Sequence, residues 1–176
     1  MKLLSNKTLF IGDSITARWP VGVYLEHVQN FGIAGNTSID IAGRFYLDAL
    51  AQNPARICLL AGTNDVIRLQ SPRAALIEQM ANWSLESRVP VILGKVPPLI
   101  SDTPWLTTAD LMALIHEWND QIAAIGAALS LPVADYFTPL CLEGEDAANP
   151  DLFIDGVHPN TAGYDLMFAA LQEVLC

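Results

Sequence analysis

Short apolar runs alternate along this chain with longer segments of helical period, the pattern of βαβ units built around a parallel sheet. Thr8–Ile11 is the first run, and a helical stretch from Ile15 is stopped by Pro20. Val28–Phe31 is a brief second strand. Thr37 or Ser38 then caps a helix reaching Gln52, with Ile41, Phe45, Leu47 and Leu50 as its apolar side. Arg56–Ala61 is a continuous apolar run, the kind buried on both faces of a sheet. Ser71-Pro72 opens the next helix, whose inner stripe is Leu76, Met80 and Trp83. Val89–Gly94 is strand four, and Val133–Tyr136 is strand five. Between them Leu111, Leu114, Ile115, Trp118, Ile122 and Ile125 mark a helix over Thr108–Leu129, and Thr161–Leu175 is the final helix.

These elements predict one domain over residues 1–176 with a three-layer α/β/α architecture and a five-stranded parallel sheet in the flavodoxin-like order 2-1-3-4-5. In that order the loops after strands one, two and three meet at one edge of the sheet. The fifth strand lies three spacings from the first, roughly 14 Å at about 4.8 Å each. The irregular stretch Phe137–Asn160 is long enough to span that gap, and structureless loops of this length in compact domains are commonly functional.

Composition narrows the function. Nine Lys and Arg stand against nineteen Asp and Glu, a formal charge of −10, which argues against a nucleic-acid partner or an anionic membrane surface. With 52% hydrophobic residues, disorder is excluded. Asn6 and Lys7 interrupt the only N-terminal apolar stretch before a secretory signal can form, and no apolar run is long enough to cross a membrane. Three scattered cysteines make neither a disulfide framework nor a metal pair, so a reducing, cytoplasmic setting is expected. The three histidines make no ligand cluster, so no metal is expected.

Candidate chemistry gathers at strand ends. Ser14 follows strand one within Gly12-Asp13-Ser14-Ile15, and Asn64 follows strand three within Gly62-Thr63-Asn64-Asp65. Alone, such a serine reads as a helix cap and such an asparagine as a turn residue. Near the C-terminus, however, Asp155 stands three residues before His158 in Asp155-Gly156-Val157-His158-Pro159-Asn160. A carboxylate there can fix the tautomer of an imidazole and make it a usable base, so Ser14, His158 and Asp155 together read as nucleophile, base and orienting acid. His27 precedes a strand and His116 sits off the apolar stripe of its helix; both lack a comparable partner and read as surface or packing residues. Asp13 reads as a loop-bracing acceptor. Gly35, after strand two, can offer its backbone N–H to an oxyanion, and the Asn64 amide can do the same. The loop Lys95–Leu106 carries Leu99, Ile100 and Trp105, which no helix stripe accounts for. They either line an acyl pocket or pack as a satellite cluster.

These motifs resemble the four blocks of the SGNH hydrolases, also called GDSL-type esterases and lipases, in order and across most of the chain. The second block, Gly32-Ile33-Ala34-Gly35-Asn36-Thr37, departs from the commoner Gly-Gly form by having Ala34 before Gly35. The resemblance implies Ser14 as nucleophile, His158 as base and Asp155 as its acid, with Ser14 and Gly35 N–H groups and the Asn64 amide as the oxyanion hole. It also implies a small-molecule acyl ester as substrate, hydrolysed through an acyl-enzyme, and no cofactor. The expected substrates are short to medium acyl esters, because little sequence remains for a lid. A flavodoxin-like module binding phosphate or flavin is the competing reading, and it leaves Asp155 and His158 without a role.

Overall fold

The computed structural model describes residues 7–69, 74–101 and 106–175. Five strands run in chain order: β1 (Thr8–Gly12), β2 (Val28–Gly32), β3 (Arg56–Leu60), β4 (Val91–Gly94) and β5 (Val133–Ala134). They form one sheet in the order β2-β1-β3-β4-β5, with every neighbouring pair parallel, as the sequence predicts. The central strands carry the apolar runs because they are covered on both faces. Leu9, Ile11, Ile57 and Leu93 have no accessible surface, whereas the edge strand β2 is only half-buried.

The helices are α1 (Ser14–Arg18), α2 (Val21–Tyr24), α3 (Ser38–Asp48), α4 (Thr63–Ile67), α5 (Ala74–Glu86), α6 (Thr108–Leu129) and α7 (Thr161–Gln172). On one side of the sheet α3 packs on α5 and α5 on α6. On the other, Trp19 at the end of α1 stacks on Tyr164 of α7, and Tyr24 of α2 stacks on Phe168. Capping boxes start two of the helices where Thr37 pairs with Asp40 and Thr107 with Asp110.

The departures from expectation have local causes. The predicted helix to Gln52 ends as α3 at Asp48, and a 3-10 turn over Leu50–Gln52 is closed by Asn53 in the left-handed region. Leu47 is exposed and does not belong to the apolar side. In α5 the buried stripe centres on Ile77, Met80 and Ala81, with Leu76 and Trp83 at its margins; the proposed start at Ser71-Pro72 lies outside the described residues. Strand β4 starts at Val91 because Val89 closes the end of α5 through its N–H to the Ser84 carbonyl and Pro90 has no N–H to give. Strand β5 stops at Ala134, since Asp135 turns to bond Lys95 at 3.1 Å and the Phe137 and Thr138 N–H groups. The final helix ends at Gln172, short of Leu175. Two short helices were not anticipated: α2 beyond Pro20, and α4 where a tight turn is predicted.

Candidate active site

Asp13, not Ser14, caps α1: its Oδ1 accepts the Ile15 N–H at 2.9 Å. That leaves Ser14 as the first helical residue, half-buried, with its hydroxyl free of capping. The hydroxyl is 2.8 Å from His158 Nε2. On the far side of the ring, His158 Nδ1 lies 2.9 and 2.8 Å from the two Asp155 oxygens. With Nδ1–H donating to Asp155, Nε2 carries the lone pair and accepts the serine proton. The serine, the imidazole and the carboxylate therefore form one hydrogen-bonded line, although 144 residues separate Ser14 from His158.

The turn that holds the histidine is built locally. Asp155 Oδ1 also accepts the backbone N–H groups of Val157 and His158 at 3.1 and 2.9 Å. Burial raises the Asp155 carboxyl, but those N–H groups and the imidazole outweigh it and hold the pKa at about 2. Arg18 adds an ion pair to Asp155 at 3.6 Å. Gly156 adopts φ 78°, and a Cβ there would come within 2.1 Å of the Ile100 carbonyl oxygen. The Ile100 N–H donates to the Gly156 carbonyl at 2.7 Å. The loop after β4 thus braces the histidine turn through its main chain. An antiparallel bridge between Phe153 and Pro159 and the Asn160 cap on α7 fix the other side.

The opposite wall is formed by the turns after β2 and β3. Asn64 donates an amide hydrogen to the Asn36 carbonyl at 3.0 Å, which fixes the amide plane and leaves its second N–H for a ligand. Gly35, one residue before Asn36, takes φ 79°, a left-handed conformation suited to glycine. Buried Asp65 ties the two turns together by accepting the Ser38 N–H at 2.9 Å and the Ser38 hydroxyl at 2.6 Å. Arg44 joins β1 to the same turn, donating to the Gly12 carbonyl and to Asn36 Oδ1 at 2.9 and 2.7 Å. Under α4, Gly62 at φ 127° admits the Trp118 ring, whose Nε1 donates to the Ala61 carbonyl at 3.0 Å.

Beneath the serine, Asp13 is wholly buried. Its Oδ2 has no hydrogen-bond partner among the described residues, and the Thr63 hydroxyl lies beside it without hydrogen-bond geometry. Burial pushes this carboxyl up to about 6, against the pull of the Ile15 N–H.

Not every expected site residue faces this chemistry. Leu99 has no accessible surface and packs the core, so its side chain does not line a pocket. Ile100 is half-buried against the core, and Trp105 lies outside the described residues. His116, expected to lack an acid partner, has one: Nε2 stands 2.7 and 2.8 Å from the Asp146 oxygens, and the ring packs on Phe137 at 4.8 Å. It fastens α6 to the long segment after β5. The bracing roles of Asp65, Arg44 and Trp118 went unread in the sequence because each depends on a partner on another segment; Trp118 was legible only as part of the apolar stripe of its helix, and Asp65 only as part of a block. Among the described residues no group of three or more His, Cys, Asp and Glu could hold a metal ion, and no helix is long and apolar enough to cross a membrane.

Comparison with known proteins adds to this geometry. The GDSL-like lipase/acylhydrolase family matches residues 10–166. A GDSL-like lipase from Bacteroides thetaiotaomicron VPI-5482 is 30% identical, with a TM-score of 0.85 over 96% of this chain and 86% of its own. A structure from Bacteroides fragilis NCTC 9343 is 26% identical, with a TM-score of 0.85 over 98% and 87%. An acetyl xylan esterase from Geobacillus stearothermophilus is 23% identical and shares the fold, with a TM-score of 0.78 over 97% and 94%. No curated protein sequence matches.

Proposed function

The chain belongs to the GDSL-like lipase/acylhydrolase family and is a serine ester hydrolase, and on that premise we propose that Ser14 is its nucleophile, working through an acyl-enzyme on short to medium acyl esters. The observation that carries this reading is the line Ser14 Oγ to His158 Nε2 at 2.8 Å and His158 Nδ1 to Asp155 at 2.8 Å.

In the proposed mechanism, Ser14 Oγ attacks the carbonyl carbon as its proton passes to His158 Nε2. Asp155, ionised down to about pH 2, stabilises the imidazolium. The N–H groups of Ser14 and Gly35 and the free Asn64 N–H hold the oxyanion. Collapse of the tetrahedral species expels the alcohol, which takes the proton from His158. Water, deprotonated by the same nitrogen, then attacks the acyl-enzyme, and the acid leaves with Ser14 restored. The serine proton departs with the alcohol and water replaces it on Ser14, so the cycle closes without any change of oxidation state.

The acyl range is supported by the loop after β4. Leu99 is committed to the core and the Ile100 main chain to Gly156, so neither adds the wall of a deep acyl channel. An acetyl xylan esterase of the same fold sits at the short end of this range. The test is a series of aryl esters from acetate to laurate, together with fluorophosphonate labelling. Label on Ser14, a rate abolished in Ser14→Ala, and a falling rate for the longest chains are the expected results. Label on another residue or full turnover by Ser14→Ala would refute the assignment.

A further inference from the structure

Arg68 closes the C-terminal end of α4, four residues beyond Asn64, and its side chain returns across the turn after β2. Its Nη2 lies 3.4 Å from the point where a Cβ on Gly35 would stand, beside the turn that presents the Gly35 N–H. The residue is exposed, and among the described residues its guanidinium makes no hydrogen bond and no ion pair.

The cations around it are already engaged. Arg44 donates to Gly12, Asn36 and Asp48, and Arg18 pairs with Asp155. The carboxylate nearest in influence is Asp40, whose ionised form Arg68 favours from beyond ion-pair range. Asp40, however, is taken by its own capping box, accepting the Thr37 N–H and hydroxyl at 2.8 and 2.7 Å. A planar, weakly hydrated cation with five donors therefore stands unmatched at the rim of the oxyanion pocket. The molecule as a whole is acidic, with a net charge of −10, and repels an anionic substrate unless a local cation receives it.

We propose that Arg68 determines specificity, receiving a carboxylate, phosphate or sulfate group carried by the ester substrate next to the carbonyl being attacked. The proposal rests on the reading of Ser14 and Gly35 above and narrows its substrates to anionic esters. A guanidinium can take two oxygens of such a group at once, which fixes the ester relative to Ser14 as well as attracting it.

The anion can sit on either side of the scissile bond, so the test uses matched pairs. Phenyl acetate is compared with 4-acetoxybenzoate, which carries the charge on the alcohol part. Phenyl butyrate is compared with phenyl hemisuccinate, which carries it on the acyl part. In the wild type, kcat/KM for at least one anionic ester exceeds that of its neutral counterpart about tenfold, and the excess shrinks as salt is raised. In Arg68→Gln this ratio falls about tenfold toward parity, and Arg68→Lys recovers part of it. A wild-type ratio of one for both pairs, or a ratio unchanged in Arg68→Gln, overturns the proposal while leaving the hydrolase reading intact. Failure of the wild type to cleave any of the four esters overturns both.

Discussion

Replacing Asn64 with alanine isolates one donor of the oxyanion pocket. Among the described residues the side chain makes one hydrogen bond, to the Asn36 carbonyl at 3.0 Å, and the bond is only part-buried. Losing it costs about 1 kcal/mol of stability, a fall in Tm of roughly 2–4 °C for a domain of this size. The catalytic cost should be much larger. The second amide N–H meets full negative charge only as the tetrahedral species forms, and removing such a donor costs about 2.7–4 kcal/mol, or roughly 100- to 1,000-fold in kcat. KM should change little, because a neutral ester carbonyl gains little from the same bond. Asn64→Asp should be slower still, since it keeps the size but sets a carboxylate against the developing anion. Initial rates on a short aryl ester, with a thermal melt of each variant, separate the two effects. A raised KM with kcat preserved, or a rate loss no larger than the stability loss explains, would refute the role given to Asn64.

Asp13 governs stability against pH. Its folded pKa of about 6 stands above the ordinary 3.8, so its favourable contribution is complete below about pH 3.8 and is lost as the pH rises through 6. Between pH 3.8 and 8 the wild type should lose about 3 kcal/mol relative to Asp13→Asn, whose amide still caps α1; equal differences in urea unfolding at both pH values would contradict this. Gly62→Ala forces a Cβ to 2.3 Å from the Trp118 ring at φ 127°. Strain and overpacking together cost several kcal/mol, roughly 2–6, so Tm should drop by on the order of 10 °C and activity should fall with the displacement of α4. A melt indistinguishable from wild type would show that the Trp118 ring is not fixed.

What the sequence disclosed, and what it hid, follows the range of the interactions. Leu9–Ile11, Ile57–Leu60 and Val91–Leu93 announce strands because two-sided burial demands uninterrupted apolar residues. Asp155 and His158 are legible as a pair because three residues of chain suffice to bring them into contact. Ser14 could be joined to them only through the predicted strand order, and that order is the one observed. Helix α4 escaped notice because five residues are too few for a helical period to show. Leu99 carried no mark distinguishing a core side chain from a pocket wall, since both are apolar. Arg44 meets Asp48 one turn along its own helix, but its other partners, Gly12 and Asn36, lie on separate segments, and that of His116 lies 30 residues away on a loop. Local patterns do not encode such pairings.

The long reach between Ser14 and His158 also sets a clock. Tyr164 on α7 donates to the Ile15 carbonyl at 2.9 Å, and Tyr24 donates to Asp165 at 2.8 Å, so the last helix docks onto the first two. These contacts span about 140 residues and close large loops, which places them late on the folding route. A chain emerging vectorially can pair β1, β2, β3 and β4 while it remains chemically silent, with its serine exposed and no base beside it. Hydrolytic competence is then the last property to arrive during refolding, trailing the recovery of sheet and helix signals.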